Sequence, residues 1–158
     1  MATDDRDVIA DIMRKTRIAI LTYQDAEGRL VSTPMGTQDF EDPGTVWFIT
    51  EVATEKVRAI LANPHVNVAY ASDKGWVSLS GTARLSRDDA KLKELWDASA
   101  SAFMSTDVDD ANSGLLEITG DTAQYWESPG KVPMLVKMAK GLLGGKAADE
   151  GDAPVVEL

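Results

Sequence analysis

The chain has 158 residues, 44% of them hydrophobic and 27% charged, which suits one globular domain with a core of its own and excludes wholesale disorder. It has no cysteine and a single histidine, His65, so disulfide frameworks, thiol catalysis, iron–sulfur clusters and His-rich metal sites are excluded. The formal charge of −10, from 26 acids against 16 bases, repels nucleic-acid backbones at long range but leaves room for one phosphate held by local N–H groups and a lysine.

The opening segment, Asp4 to Lys15, carries Val8, Ile9, Ile12 and Met13 at helical spacing behind an aspartate cap. Its acids stand where a secretion signal would carry bases, and no stretch approaches the roughly 18 apolar residues of a membrane span. A cytoplasmic protein with neither a nucleic-acid nor a membrane partner is expected. Arg17 to Tyr23 reads as a strand, Asp25-Ala-Glu-Gly28 as a turn, and Leu30 to Gln38 as the returning strand. Pro34 has no N–H to give a ladder, so that strand has an edge or a bulge there. The turn Glu41-Asp-Pro-Gly44 leads into Thr45 to Thr50, the clearest strand of the chain, and then into a helix capped by Thr54 and stopped at Asn63-Pro64.

Val66 to Ala71 and Trp76 to Leu85 follow as strands, with Gly81 marking a bulge or bend. Asp88 to Phe103 reads as the longest helix, with Leu92, Leu95, Trp96 and Ser99 on one face. Two closing strands, Gly114 to Thr119 and Thr122 to Glu127, are expected on either side of a turn at Gly120-Asp121. About seven short strands with turn signals and three helices predict a mainly β fold with flanking helices, a closed antiparallel barrel rather than a parallel sheet. One domain over residues 1–143 is expected, followed by a disordered acidic tail over 144–158. Lys131 to Lys146 holds four lysines and no acids. It reads as a helix packed on the barrel rather than a membrane-docking segment.

The most informative stretch is the strand ending at Thr50, the short connection and the helix opening at Thr54. A helix N-terminus presents unpaired N–H groups and partial positive charge, and Lys56 adds a cation in the first turn. Thr54 could equally do no more than cap its own helix, with Lys56 solvated. Ser32-Thr-Pro-Met35 frees backbone groups at a proline break. Trp47, Trp76, Trp96 and Trp126 could stack on a planar ring, although such aromatics also fill cores. No dinucleotide fingerprint, Walker loop or Ser-His-Asp set is present.

The ordered set Arg17-Ile-Ala-Ile-Leu-Thr, Gly28-Arg-Leu-Val-Ser-Thr-Pro-Met35, Val46-Trp-Phe-Ile-Thr50, Thr54-Glu-Lys56, Asn63-Pro-His-Val-Asn-Val-Ala-Tyr70, Trp76-Val-Ser-Leu-Ser-Gly-Thr-Ala83, Glu94-Leu-Trp96 and Tyr125-Trp-Glu-Ser-Pro129 resembles the pyridoxamine 5'-phosphate oxidase-like flavoproteins, and within them the general stress protein 26 family. The resemblance implies an FMN-binding split β-barrel working as a homodimer, with flavin at the subunit interface. It implies phosphate contacts from Thr50, Thr54 and Lys56, a strand beside the ring at Phe48 and Ile49, and a backbone facing the ring at Thr33, Pro34 and Met35. Trp126 would approach the partner's flavin. FAD, deazaflavin and haem are the alternative cofactors. The implied activity is that of a flavin-dependent oxidoreductase or stress-related flavin reductase of unknown substrate; the alternative is a non-catalytic cofactor-binding stress protein. Thr33 stands where relatives often carry arginine, and that charged donor would be worth about 1.5–3 kcal/mol. Glu55 stands where a neutral or basic residue would favour an anion.

Overall fold

The computed structural model describes residues 4–129, 138–139, 142 and 153–158. Alternation of apolar and polar side chains divides one sheet into two faces. Along β1 (Ile18–Gln24), Ala19, Leu21 and Tyr23 turn inward while Ile18 and Ile20 stay exposed. Val46 and Phe48 do the same on β3 (Thr45–Glu51), as do Val66, Val68 and Tyr70 on β4 (His65–Ser72). With β2 (Leu30–Gly36), β5 (Gly75–Ser86) and β6 (Ser113–Glu127), these strands pair antiparallel in the order β2-β1-β4-β5-β6-β3. The two end strands, β2 and β3, return into contact without pairing. The result is the expected split antiparallel barrel.

Helix α1 (Asp5–Lys15) lays Ile9, Ile12 and Met13 against β4 and β5, and α2 (Glu55–Ala62) packs Val57 and Ile60 against β1 and β5. Phe48, Ile9, Ile12, Leu21 and Leu79 are fully buried, each contributing about 1.5–3 kcal/mol of transfer free energy. No helix among the described residues is long and apolar enough to cross a membrane.

Three expectations are corrected. The turn at Gly120-Asp121 does not form, because β6 runs unbroken through it. Ser80 pairs with Thr122 and Gly81 with Gly120, so Asp121 is the extra residue of a bulge. Gly81 is required there, since a Cβ would lie 2.1 Å from the Thr119 carbonyl oxygen. The single helix over 88–103 is two, α3 (Asp89–Leu95) and α4 (Ala98–Phe103), because the Asp97 side chain accepts from the Ala100 amide at 2.9 Å and starts a new helix. The acidic tail is not disordered at its far end. Val155–Glu157 form β7 on Thr122–Gln124 of β6, with Val156 and Leu158 packed on the core. Residues 144–152, and most of Lys131 to Lys146, lie outside the described residues.

Candidate functional site

The corner between β3 and α2 is built by capping. Thr54 takes an extended backbone, and its Oγ1 accepts from the Val57 amide at 3.3 Å and donates to the Glu51 carbonyl at 3.2 Å. The hydroxyl is therefore committed to its own helix, as the capping alternative expects. The first amides of the helix, on Glu55 and Lys56, have no acceptor within the helix, as at any helix N-terminus, and stand at its positive end. The connection is pinned from a distant loop. The Val52 amide donates to the Asn112 carbonyl at 2.8 Å, and the Ala53 amide to Asn112 Oδ1 at 2.7 Å.

Lys56 leaves this corner toward β2, where its Nζ lies 3.4 Å from the Met35 sulfur. It joins no ion pair among the described residues. Burial pushes its pKa below the ordinary lysine value, with only the charge of Glu51 opposing. A desolvated ammonium facing a weak thioether acceptor is costly, and an anion would relieve it. The carboxylate whose charge acts on Lys56 is engaged elsewhere: Glu51 accepts from the Ser105 amide at 3.1 Å and from the Ser105 hydroxyl in a short bond. Those two bonds hold the Glu51 carboxyl below its usual range.

The structure brings Met35, Thr50, Thr54 and Lys56 to this corner, and Thr33 stands two residues before Met35 on the same strand. Thr33 and Met35 pair with Leu21 and Ala19 and turn to the barrel interior; Pro34 pairs with Ile20 on the outer face. Thr50 is buried, and its hydroxyl donates to the Glu51 carbonyl at 3.3 Å. Phe48 and Ile49 point to opposite sides of β3. Phe48 fills the core, whereas Ile49 joins Trp47, Trp96 and Leu115 under α3. Trp126 is not part of the gathering. It sits across from Trp76 at the far end of β6 from Gly114, the partner of Thr50. The residues missed by sequence reasoning are Glu51, Ser105 and Asn112, for which no local pattern in the sequence gave a signal.

Two cavities lie elsewhere. One of about 620 Å³ is lined by Asp7, Asp11, Lys74, Tyr125 and Glu127, and one of about 320 Å³ by Arg87, Lys93 and Asp109 among others. Neither includes a residue of the corner. No group of three or more metal-ligating side chains occurs among the described residues.

The family profile described as "Pyridoxamine 5'-phosphate oxidase like" matches residues 4–149. No curated protein matches the chain. Among solved structures, general stress protein 26 from Bacillus anthracis is similar with a TM-score of 0.72 at 19% identity, covering 97% of this chain and 98% of that one. A provisionally named general stress protein 26 from Jannaschia sp. CCS1 gives 0.73 at 26% identity, over 96% and 98%. A heme binding protein from Mycobacterium smegmatis gives 0.71 at 13% identity, over 99% of this chain and 59% of that one.

Proposed function

The chain belongs to the pyridoxamine 5'-phosphate oxidase like family, and on that premise we propose that it binds flavin mononucleotide and acts in the cytoplasm as a flavin-dependent oxidoreductase or flavin reductase. One observation carries this reading. The half-buried ammonium of Lys56 has a sulfur rather than a carboxylate as its partner, beside the open N-terminus of α2. A phosphate monoester would satisfy that cation and the Glu55 and Lys56 amides together, with charge-assisted bonds. In a chain of net charge −10, anion binding needs such a local cause. The donor set fits the flavin phosphate.

The division of labour follows from the residues. Lys56 and the helix amides hold the phosphate. The Thr54 cap fixes the direction of those amides, and Asn112 fixes the connection before them. Thr33 and Met35 give the neighbouring strand an uncharged lining. When bound, the flavin supplies the hydride chemistry, and the protein supplies binding and orientation. A second copy of the chain is part of the proposal. Ile18, Ile20, Trp76 and Trp126 are exposed on the outer sheet face, and pairing through that face would bury them and give Trp126 a role at the other copy's corner.

A second reading, a flavin carrier without turnover, is favoured by Thr33, since β2 offers no charged donor to the ring. An absorption spectrum taken after adding FMN and removing the excess tests binding; bands near about 370 and 450 nm are expected from the cofactor. Lys56→Ala should weaken FMN binding about tenfold, the loss of one charge-assisted contact, with the circular dichroism unchanged. Absence of flavin bands, or an unchanged affinity in Lys56→Ala, would sink the assignment, and titration with deazaflavin and haem would replace it. Oxidation of NADH or NADPH by the flavin-loaded protein separates the enzyme from the carrier.

A further inference from the structure

Glu51 is the carboxylate whose charge reaches Lys56, yet the two form no ion pair. The acid turns instead toward the loop after α4, where Ser105 donates to it from both its amide and its hydroxyl. That loop is itself stitched in place. Thr106 and Ser113 share a hydroxyl bond of 2.6 Å, the Ser113 hydroxyl donates to the Asp107 carbonyl at 2.7 Å, and Asn112 is tied to Val52 and Ala53. Ser105 therefore presents its donors from a loop tied down by hydrogen bonds on both sides, and the Glu51 side chain, with three rotatable bonds, is the member of the pair that can turn.

We propose that Ser105 is a positioning residue: by holding the Glu51 carboxylate against the loop, it keeps Lys56 open to an anionic ligand. This inference deepens the flavin reading and rests on the phosphate seat that reading places at Lys56. The alternative partner for the lysine is intramolecular and always present. Glu51 stands five residues before Lys56, and a carboxylate released from Ser105 is free to turn to the ammonium and pair with it. A ligand phosphate must then compete with that carboxylate. The Ser105 bonds prevent the competition by satisfying Glu51 elsewhere, and they do so without removing the acid's charge from the corner.

The experiment compares FMN dissociation constants of the full-length protein, by flavin fluorescence, for wild type, Ser105→Ala, Ser105→Thr, Glu51→Gln, the Ser105→Ala/Glu51→Gln double variant and Lys56→Ala. Ser105→Ala should weaken binding roughly fivefold to tenfold, since one bond to a charged acceptor is lost. Ser105→Thr, which keeps the hydroxyl, should bind as wild type does. The double variant should recover the affinity of Glu51→Gln, because a neutral amide has no reason to seek the lysine. If Ser105→Ala is weakened and the double variant equally so, the loop acts by shape alone and the proposal fails. A second readout needs no flavin. Titration of the Lys56 side chain by NMR should show its pKa rising in Ser105→Ala and not in the double variant. Unchanged Lys56 titration in Ser105→Ala overturns the proposal even where Lys56→Ala abolishes binding. Unchanged FMN affinity in Lys56→Ala overturns the phosphate seat instead, while the lysine titration still judges the Ser105–Glu51 clamp.

Discussion

The turn between β1 and β2 and the corner between β3 and α2 both gather acids and one base within six residues, and they resolve their charges in different ways. In the turn, the Asp25 carboxylate accepts from the Glu27 amide at 3.0 Å, the Arg29 amide at 2.8 Å and Arg29 Nε at 2.8 Å, and Arg29 also reaches Glu27 at 3.2 Å. Gly28, at φ +79°, supplies the left-handed step that closes the ring. Desolvation works to raise the Asp25 pKa, but the Arg29 donors hold it below the usual range. In the corner, Glu51 is spent on Ser105 and Lys56 is left against a sulfur. In the turn the one base is paired with both acids. The corner keeps one desolvated cation and two helix amides in reserve, at some cost to folding.

This contrast separates places where a substitution costs stability from the place where it costs ligand. The sealed class is broken most severely where backbones are closest. Gly81→Val places a side chain 2.1 Å from the Thr119 carbonyl and 2.8 Å from the Gly120 Cα, with no flexible neighbour to yield. The bulge must open, and a loss of about 3 kcal/mol or more is expected. Thermal unfolding measures it, and a melting temperature within a degree of wild type would show that β6 adjusts freely there.

The tail tests the same idea more gently. Deleting residues 153–158 removes Val156 and Leu158 from the core, the Leu158 amide bond to the Asp121 carbonyl at 3.1 Å, and the β7 ladder. Both side chains are only partly buried, so the expected loss is about 2 kcal/mol, or roughly 4–8 °C at this chain length. FMN affinity should stay unchanged, because the tail pairs at Thr122–Gln124, away from the corner. Lost binding with an unshifted melting temperature would reverse the two classes.

Why some of this was legible in the sequence and some was not follows from distance along the chain. Alternation within β1, β3, β4 and β5 is a local pattern, and so are the Thr54 cap and the placement of Lys56 in the first turn, so barrel and corner both showed. Gly120-Asp121 carries turn chemistry, but its meaning depends on Gly81, some forty positions earlier, where two backbones approach. In the tail, apolar positions two apart were hidden by a composition rich in glycine, alanine and acids. Ser105 and Asn112 act on residues 54 and 59 positions away. Only the closure of the barrel brings them to the corner, and nothing in their neighbours announces it.

The smallest effect is the most discriminating, because a single proton should move stability and affinity in opposite directions. The Lys56 pKa is lowered below 10.5, burial being the largest cause. Between its folded value and 10.5, the unfolded chain binds more of this proton than the folded chain does. Stability of the unliganded protein therefore rises with pH through that window on account of Lys56. FMN affinity should fall through the same window, since the phosphate loses its cation. Tyr23, Tyr70 and Tyr125, all with raised pKa values and Tyr125 at about 12, contribute stability that is present below pH 10 and lost above it. The comparison must therefore be the difference between wild type and Lys56→Met, which keeps length and apolar bulk without the charge. Denaturant unfolding and FMN titration from pH 8 to 10.5 give the two slopes. A lysine paired to Glu51 would have a raised pKa, its stabilising effect would persist through this window, and the opposed slopes would vanish.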